Sequence, residues 1–295
     1  MALDKLSHAR LAWLRESQKG DIMQEIRWPN GARCAVAFTV DVDAESLWLM
    51  GNPEAAKKPK LLSLGTYGPL RGVGRILDLF DRYAIKSTFF IPGYTIERYP
   101  EVTKEVFARG HEIAHHGYLH EPFGTMNDAE EKEVIARGIK LIEGITGSPP
   151  VGIRPHGDHA PHTMRNIRNF GFLYDSSWRG DDRPFRVVID GKPSDLIEIP
   201  AHWELDDAPF FLFQYPLPAG QMHILGPESA YQTWVSEFDG YYHFGLCYVL
   251  MLHPQLIGKP GRVLMLERLI QHMRQFPDVW FARMQDIAQY WKETY

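Results

Sequence analysis

Short runs of apolar, β-branched and aromatic residues alternate along this chain with longer segments whose apolar positions follow a helical period. The short runs predict strands over residues 34–43, 86–93, 111–117, 151–157, 172–177, 196–201, 247–254 and 278–283. The longer segments predict helices over residues 72–85, 96–110, 128–147, 227–242 and 261–276. Because strands and helices alternate so regularly, the pattern predicts an α/β protein with parallel strands joined by helices.

Most of the predicted strands end on a side chain that can bind a metal or exchange a proton. These strand-end residues are Asp41, Asp43, His116, Arg154, His156, Asp175 and His253. In a parallel barrel the carboxyl ends of all strands meet on one face, whereas an open sheet spreads them along a line. The pattern therefore favours an α/β barrel in a single domain, and 295 residues suit that size.

The first 30 residues differ from the rest and predict a helical extension that precedes a barrel over residues 31–295. Charges recur every few positions in this stretch, which indicates an amphipathic surface helix rather than a secretory signal. No apolar run in the sequence reaches the length of a membrane span. We therefore expect a cytoplasmic protein.

The charge balance limits the kinds of partner. Thirty-two lysines and arginines against 37 acidic residues give a net charge of −5, with no basic stripe. Nucleic acids and anionic membranes are therefore poor partners, and a small-molecule substrate is expected. Cys34 and Cys247 lie inside apolar runs, where buried reduced thiols are expected.

Residues 203–218 fit neither a helical nor a strand period and predict a long loop. The aromatic residues in this stretch are too apolar to face water alone. We therefore expect the segment to cover the active site or to form a homo-oligomer interface. The residues concerned are Phe210, Phe211, Phe213 and Tyr215.

Residues 111–120 contain four histidines, and their spacing gives two pairs that are four residues apart. The strand prediction places His116 at a strand end and His120 in the loop after it, with His111 at the opposite end. A zinc hydrolase usually has three protein ligands and one open position for water. Asp41 and Asp43 lie on the same side of their strand, so one carboxylate can bind the metal while the other acts as a base.

These patterns together resemble the polysaccharide deacetylase superfamily, the NodB-homology or carbohydrate esterase 4 group, from about Ala35 to Phe281. The resemblance rests on VDVDA, GHEIAHHGYLH and MLHP. It implies a variant (β/α) barrel of the NodB-homology type and metal-dependent hydrolysis of carbon–nitrogen bonds other than peptide bonds. It also implies that His111 and His115 are not ligands.

The resemblance assigns a role to each matching residue. It implies Asp41 as catalytic base, His253 as general acid, and Asp43, His116 and His120 as metal ligands. Asp175, in YDSSW, matches an acidic position that orients a neighbouring catalytic side chain. The implied cofactor is one divalent ion, zinc in the first place, with cobalt, iron and nickel as alternatives that suit the same ligands.

One motif departs from the family pattern. Polysaccharide deacetylases carry Arg-x-Pro followed by an aromatic residue, whereas here Arg154 directly precedes Pro155, His156 and Gly157. We expect Arg154 to form an ion pair with Asp41. We expect His156, Trp178 and Trp203 to contact substrate.

The missing aromatic residue and the absence of a signal favour the intracellular branch, which resembles allantoinase-like and cyclic imide hydrolases. The segment LIEIPAHWELDD also resembles that branch. We therefore expect hydrolysis of a small amide, cyclic imide or ureide. The alternatives are N-deacetylation of sugars, oligosaccharides or peptidoglycan, and a catalytically inactive binding barrel.

Overall fold

The computed structural model describes residues 26–213 and 224–295. Residues 1–25 of the predicted N-terminal extension, which spans residues 1–30, therefore lie outside the described residues. After that point the chain packs against its own C-terminal part. The ring of Trp28 lies 5.9–6.2 Å from those of Trp280, Tyr290 and Trp291.

The described residues form nine strands. They are β1 Cys34–Asp41, β2 Thr88–Ile91, β3 Glu112–His115, β4 Gly152–Ile153, β5 Tyr174–Asp175, β6 Phe185–Ile189, β7 Lys192–Glu198, β8 Cys247–Leu252 and β9 Val279–Phe281. Every residue of β1 and β8 is buried, as their continuous apolar sequence predicts.

The helices lie mainly between the strands. They are α1 Ser46–Leu49, α2 Pro59–Tyr67, α3 Val73–Arg82, α4 Gly93–Arg98, α5 Pro100–Ala108, α6 Asp128–Thr146, α7 Thr163–Asn169, α8 Ala208–Phe211, α9 Pro227–Phe244, α10 Pro254–Ile257, α11 Pro260–Met273 and α12 Met284–Thr294. A π-helical segment, Gly68–Gly72, joins α2 to α3. None of the helices described is long and apolar enough to cross a membrane.

The strands form one curled sheet in the order β6-β7-β5-β4-β3-β2-β1-β8, and β9 pairs with the start of β1. Neighbouring strands are parallel except for the antiparallel hairpin of β6 and β7. Within residues 26–213 and 224–295 no pairing joins β6 to β8, so the sheet stays open on that side. This architecture confirms the predicted single-domain variant barrel, with most strands ending on the same face.

Within the described residues, an observed strand or helix overlaps each predicted strand and each helix predicted after residue 30, and β6 is the strand that the prediction missed. A two-residue turn, Asp190 and Gly191, joins β6 to β7 with φ values of 51° and 75°. Asp-Gly is the sequence typical of such a hairpin turn, so this dipeptide was the available signal.

The segment from residue 203 is more ordered than the predicted long loop. It begins with a 3₁₀ turn, Trp203–Leu205, and continues as α8. Phe211 is only 1% exposed and Phe210 packs 5.9 Å from the ring of Trp234, so these two contact the chain's own core. These two rings therefore pack within the chain, while Trp203, Ala208 and Leu212 of the same segment line a cavity, as the expectation that it covers the site predicts. Phe213 is 37% exposed, Tyr215 lies outside the described residues, and the homo-oligomer stays a prediction.

Candidate metal and catalytic site

The candidate metal site is a buried cluster of Asp43, His116 and His120 at the carboxyl ends of β1 and β3. The Oδ1 atom of Asp43 lies 3.4 Å from Nε2 of His116 and 3.6 Å from Nε2 of His120. All three side chains are at most 4% exposed. His120 has a left-handed backbone, φ 61°, which costs energy in a residue with a Cβ and turns its ring back towards β1.

The polar atoms of this cluster fit a divalent cation. Oδ1 of Asp43 and Nε2 of His116 are buried, and neither has a hydrogen-bond partner within the described residues. Nδ1 of His116 hydrogen-bonds the backbone oxygen of Arg154, which leaves the lone pair of Nε2 free for a metal. Two imidazole nitrogens with one carboxylate oxygen are donors that suit zinc, cobalt, iron or nickel.

Burial and the neighbouring groups shift the pKa values of the cluster in a direction that suits metal binding. Burial alone would raise the pKa of Asp43, but the neighbouring imidazoles of His120, His116 and His253 outweigh it and lower that pKa. Burial lowers the pKa of His120 well below its usual value, which keeps its nitrogen available as a ligand. The cluster therefore favours an ionised carboxylate beside a neutral imidazole.

The other two histidines of the His-rich segment face away from the cluster. Nδ1 of His111 accepts the backbone N–H of Ser87 at 3.1 Å, at the opposite end of β3. Nδ1 of His115 accepts the N–H of Gly117 at 3.1 Å, and its Nε2 lies 3.2 Å from the backbone oxygen of Ile135. Their hydrogen bonds thus tie neighbouring elements together.

Asp41 is held beside the cluster by Arg154. The guanidinium of Arg154 donates to Oδ1 of Asp41 at 2.8 Å and to Thr39 Oγ1 at 3.0 Å. Two more donors reach the backbone and hydroxyl oxygens of Ser176, at 2.9 and 3.0 Å, and the guanidinium lies 4.1 Å from the ring centre of Phe90. The expected ion pair is present, and Oδ2 of Asp41 is turned towards His116 at 3.8 Å.

His253 directly follows β8 and is held by an aspartate that the sequence analysis did not single out. Asp207 Oδ1 lies 2.6 Å from Nδ1 of His253, and both its oxygens accept the backbone N–H of His253. Although burial lowers the pKa of His253, the negative charge of Asp207 raises it well above the usual value. The Nε2 atom lies 3.7 Å from Asp43 Oδ2.

A neighbouring aspartate also contributes negative charge. Asp206 Oδ1 lies 3.6 Å from Nδ1 of His253, and burial raises the pKa of Asp206 to about 7. The backbone of Asp206 bridges to Met251 in β8, which explains how a distant loop reaches the catalytic face. The available signal was the acidic pair at the end of the segment LIEIPAHWELDD.

Asp175 does not occupy the orienting position that the resemblance implied. Its Oδ1 accepts from Ser177 Oγ at 3.0 Å, and its carboxyl group pairs with buried Glu198. Burial and the charge of Glu198 raise the pKa of Asp175 well above the usual value. No hydrogen bond or ion pair joins it to His253 or Arg154 within the part of the chain that the structure describes. Asp175 thus supports the loop after β5 through Glu198, because Glu198 also accepts the N–H groups of Ser177 and Trp178.

A cavity of about 530 Å³ opens over these groups. Its polar lining includes Asp41, His116, His120, Arg154, His156, His253 and Asp206. Trp48, Met50 and Leu61, from the segment between β1 and β2, contribute an apolar wall. A larger cleft of about 1100 Å³ lies near the starts of β1, β8 and β9 and contains none of the clustered groups, so we place the site in the smaller cavity.

Two of the three residues expected to contact substrate line this cavity. The ring of His156 lies 3.9 Å from that of His120, and burial lowers the pKa of His156 to about 4. Trp203 is 57% exposed at the mouth. Trp178 is not part of the lining, because its indole N–H donates to His159 Nδ1 at 3.0 Å and its ring packs against Phe185.

Comparison with known proteins identifies relatives over most of the chain. The family model for polysaccharide deacetylase matches residues 66–174. A peptidoglycan deacetylase of Helicobacter pylori is 31% identical over 86% of this chain and 94% of its own. A candidate polysaccharide deacetylase from Mycobacterium smegmatis is 40% identical with a TM-score of 0.85, covering 90% of this chain and 92% of that one. The crystal structure of the allantoinase PuuE is 28% identical with a TM-score of 0.81, covering 94% and 96%.

Proposed function

Since this chain belongs to the polysaccharide deacetylase family, whose members hydrolyse carbon–nitrogen bonds, we propose that its substrate is a small amide, cyclic imide or ureide and that one divalent cation assists the reaction. The observation that carries the proposal is the buried cluster of Asp43, His116 and His120 beneath a cavity of about 530 Å³. A cavity of that volume suits a compact ligand that is largely enclosed.

The apolar wall and the altered third motif support a small substrate. Trp48, Met50 and Leu61 close one side of the cavity, where a polymer would need an open groove. His156 stands after Pro155, where polysaccharide deacetylases carry an aromatic residue. The similarity to an allantoinase over nearly the full length of both chains points the same way.

In the proposed mechanism Asp43, His116 and His120 hold the cation, which supplies polarisation of the substrate carbonyl and acidification of water. Asp41 takes the proton of the attacking water. Arg154 occupies Oδ1 of Asp41, so Oδ2 is the oxygen that faces the cluster and acts as the base.

His253 gives a proton to the leaving nitrogen. Asp207 fixes Nδ1, so Nε2 carries the transferable proton into the cavity. The raised pKa of His253 keeps the imidazole protonated near neutral pH. Departure of an amide nitrogen needs this proton, because an amide anion is a very poor leaving group.

Two alternatives remain from the sequence. N-deacetylation of a sugar or peptidoglycan uses the same base, ligands and acid, so it differs from the proposal only in the size of the ligand. A catalytically inactive barrel has no need of Asp41 and His253 beside the metal ligands, and the joint presence of all five groups argues against it.

A substrate panel on metal-loaded protein tests the proposal. We expect ring opening of succinimide, hydantoin or allantoin and little release of acetate from an N-acetylated chitooligomer, both followed by mass spectrometry. Rapid deacetylation of the oligomer with no ring opening would contradict the proposal and support N-deacetylation of sugars instead.

Metal content of variants tests the assignment of ligands separately from turnover. His116→Ala and Asp43→Asn should lose bound metal, as measured by elemental analysis after dialysis. Asp41→Asn should retain metal and lose most turnover, because an amide cannot accept the proton. His111→Asn is the control, since His111 lies at the opposite end of β3 and should retain stoichiometric metal. Wild-type metal content in His116→Ala would contradict the assignment.

A further inference from the structure

The lining of the cavity contains a second arginine besides Arg154. Arg179 lies four residues beyond the end of β5 and lines the same cavity as Asp41, His116 and His253. Its guanidinium carbon is 4.1 Å from the ring centre of Trp203, which comes from the segment after β7. Stacking on an indole face holds a guanidinium in one plane and orientation, so two separate segments fix this cation at the mouth.

Arg179 keeps donors available, in contrast to Arg154. A guanidinium has five N–H donors, and the described residues use one of those on Arg179, for the backbone oxygen of Ser177 at 3.1 Å. No carboxylate lies within ion-pair distance of Arg179 across residues 26–213 and 224–295. Arg154, in the same cavity, donates to Asp41, Thr39 and Ser176 and has little capacity left for a ligand.

The electrostatic surroundings also leave Arg179 as an accessible positive charge. Partial burial lowers its pKa somewhat, and the carboxylates of Asp206 and Glu198 act on it through space without contacting it. An arginine remains charged at any physiological pH despite such a shift. A stacked guanidinium with free parallel N–H groups binds a carboxylate through two hydrogen bonds.

We propose that Arg179, held against Trp203, binds a carboxylate of the substrate while the scissile carbonyl faces Asp43, His116 and His120. The substrate class is then a small cyclic imide or ureide that carries an anionic side group. The inference rests on the function proposed above, and it makes Arg179 the residue that determines the preference for a negatively charged substrate.

A matched pair of ligands tests this inference. Hydantoin-5-acetic acid and its primary amide have nearly the same shape and differ in charge. In metal-loaded wild-type protein we expect kcat/KM for the acid to exceed that for the amide by about tenfold or more, as one charge-assisted pair would give. The preference should lie mainly in KM, because the carboxylate is bound equally in the ground and transition states.

Variants of Arg179 then test whether this residue causes the preference for the acid over the amide. Arg179→Met should bring the acid-to-amide ratio to about one, and Arg179→Lys should keep part of it. Arg165→Met is the matched control, because Arg165 pairs with Asp190 outside the cavity and should leave the wild-type ratio unchanged. Melting temperatures of all variants identify any that do not fold.

The outcomes separate this inference from the proposed reaction. Equal kcat/KM for acid and amide in the wild type, or a ratio that survives Arg179→Met, would overturn the role of Arg179. If neither ligand is hydrolysed, calorimetry on the same pair decides. If the acid binds more tightly than the amide and Arg179→Met abolishes the difference, the carboxylate site is supported even though the proposed reaction fails. If the two ligands bind equally, or neither binds, the carboxylate site is rejected.

Discussion

The imidazole of His253 is oriented and charged by Asp207, which precedes it by 46 positions. Two kinds of contact join them, since Asp207 accepts both the ring N–H and the backbone N–H of His253. Asp207 is itself fully buried, so its negative charge acts at short range with little screening by water. A carboxylate placed in this way should matter for protonation of the leaving group more than for metal binding.

We therefore expect Asp207→Asn to impair the hydrolysis of amides selectively. The variant keeps the shape of the side chain and removes its charge, so the imidazole loses the partner that raises its pKa. Turnover of an unactivated amide or imide should fall roughly a hundredfold or more, the usual contribution of a general acid. Hydrolysis of p-nitrophenyl acetate should fall much less, because its leaving group departs without a proton.

Comparison of kcat/KM for the two substrates measures this selectivity, and elemental analysis checks that the metal is retained. His253→Ala is the reference, because it removes the acid itself and should give the same pattern. Equal losses on ester and amide would mean that Asp207 supports the fold of the site and not the proton transfer.

Much of the site could be predicted at the level of single residues, because each catalytic side chain follows directly from a strand end. Asp41, Asp43, His116 and His253 belong to short local patterns that fix their position relative to the sheet. Asp207 could not be found in this way. Its contact depends on the bridge between Asp206 and Met251, which pairs a loop with a strand 45 residues further along the chain.

Among the secondary-structure elements, the π-helical segment Gly68–Gly72 fixes the position of α10, which begins immediately after His253. A Cβ on Gly72 would lie 2.1 Å from the backbone oxygen of Pro254, and one on Gly258 would lie 2.4 Å from Cα of Gly72. The two backbones thus approach more closely than any side chain would permit. This approach places Gln255, whose amide donates to Oδ2 of Asp43 at 3.3 Å.

Gly72→Ala should accordingly disturb both stability and the site. The added methyl group must displace α10, and overpacking of this kind costs about 1–3 kcal/mol of unfolding free energy. Urea denaturation measures that cost, and a metal-competition titration measures the affinity that depends on the position of Asp43. Both should fall.

Gly74→Ala is the matched control two residues further on. A Cβ at Gly74 meets no atom within 4 Å, and alanine favours a helix over glycine by about 1 kcal/mol. This variant should be as stable as the wild type or more stable, with unchanged metal affinity. Equal behaviour of the two variants would contradict the packing argument.

The same elements show why the fold was only partly predictable. Strands such as β1 and β8 are buried on both faces, so their continuous apolar sequence identifies them directly. In β6 only Val187 is fully buried, so its sequence lacks that signal. Likewise α8 has four residues and is held by its contact with the core, which no short-range periodicity reveals.

For the whole molecule, buried neutral histidines make stability depend on pH. Burial lowers the pKa of His111 to about 4, and the positive charge of Lys86 acts in the same direction. In the unfolded chain the same group titrates near its ordinary value of about 6.5. The unfolded state therefore binds more protons between these two values, and the stabilising contribution is present above pH 6.5 and is lost as the pH falls towards 4.

We expect the unfolding free energy of the wild type, measured with urea, to decrease between pH 7 and pH 5. His111→Asn should decrease less over the same interval, because asparagine can accept the N–H of Ser87 and does not titrate. The difference between the two slopes is the measured quantity, so a general loss of stability in the variant does not affect it. Parallel slopes would show that His111 makes no contribution.

The position of β1 between β2 and β8 has a consequence for synthesis on the ribosome. The hydroxyl of Thr39 donates to the backbone of Leu250, 211 residues later, and β9 pairs with the start of β1 from later still. A nascent chain that has already formed β1 to β5 therefore exposes one edge of β1 until β8 has been translated. Such an unpaired edge invites pairing with other chains, and the large sequence separation slows closure. We expect this protein to complete its catalytic face only after β8 has left the ribosome, and to depend until then on chaperones that protect the incomplete sheet.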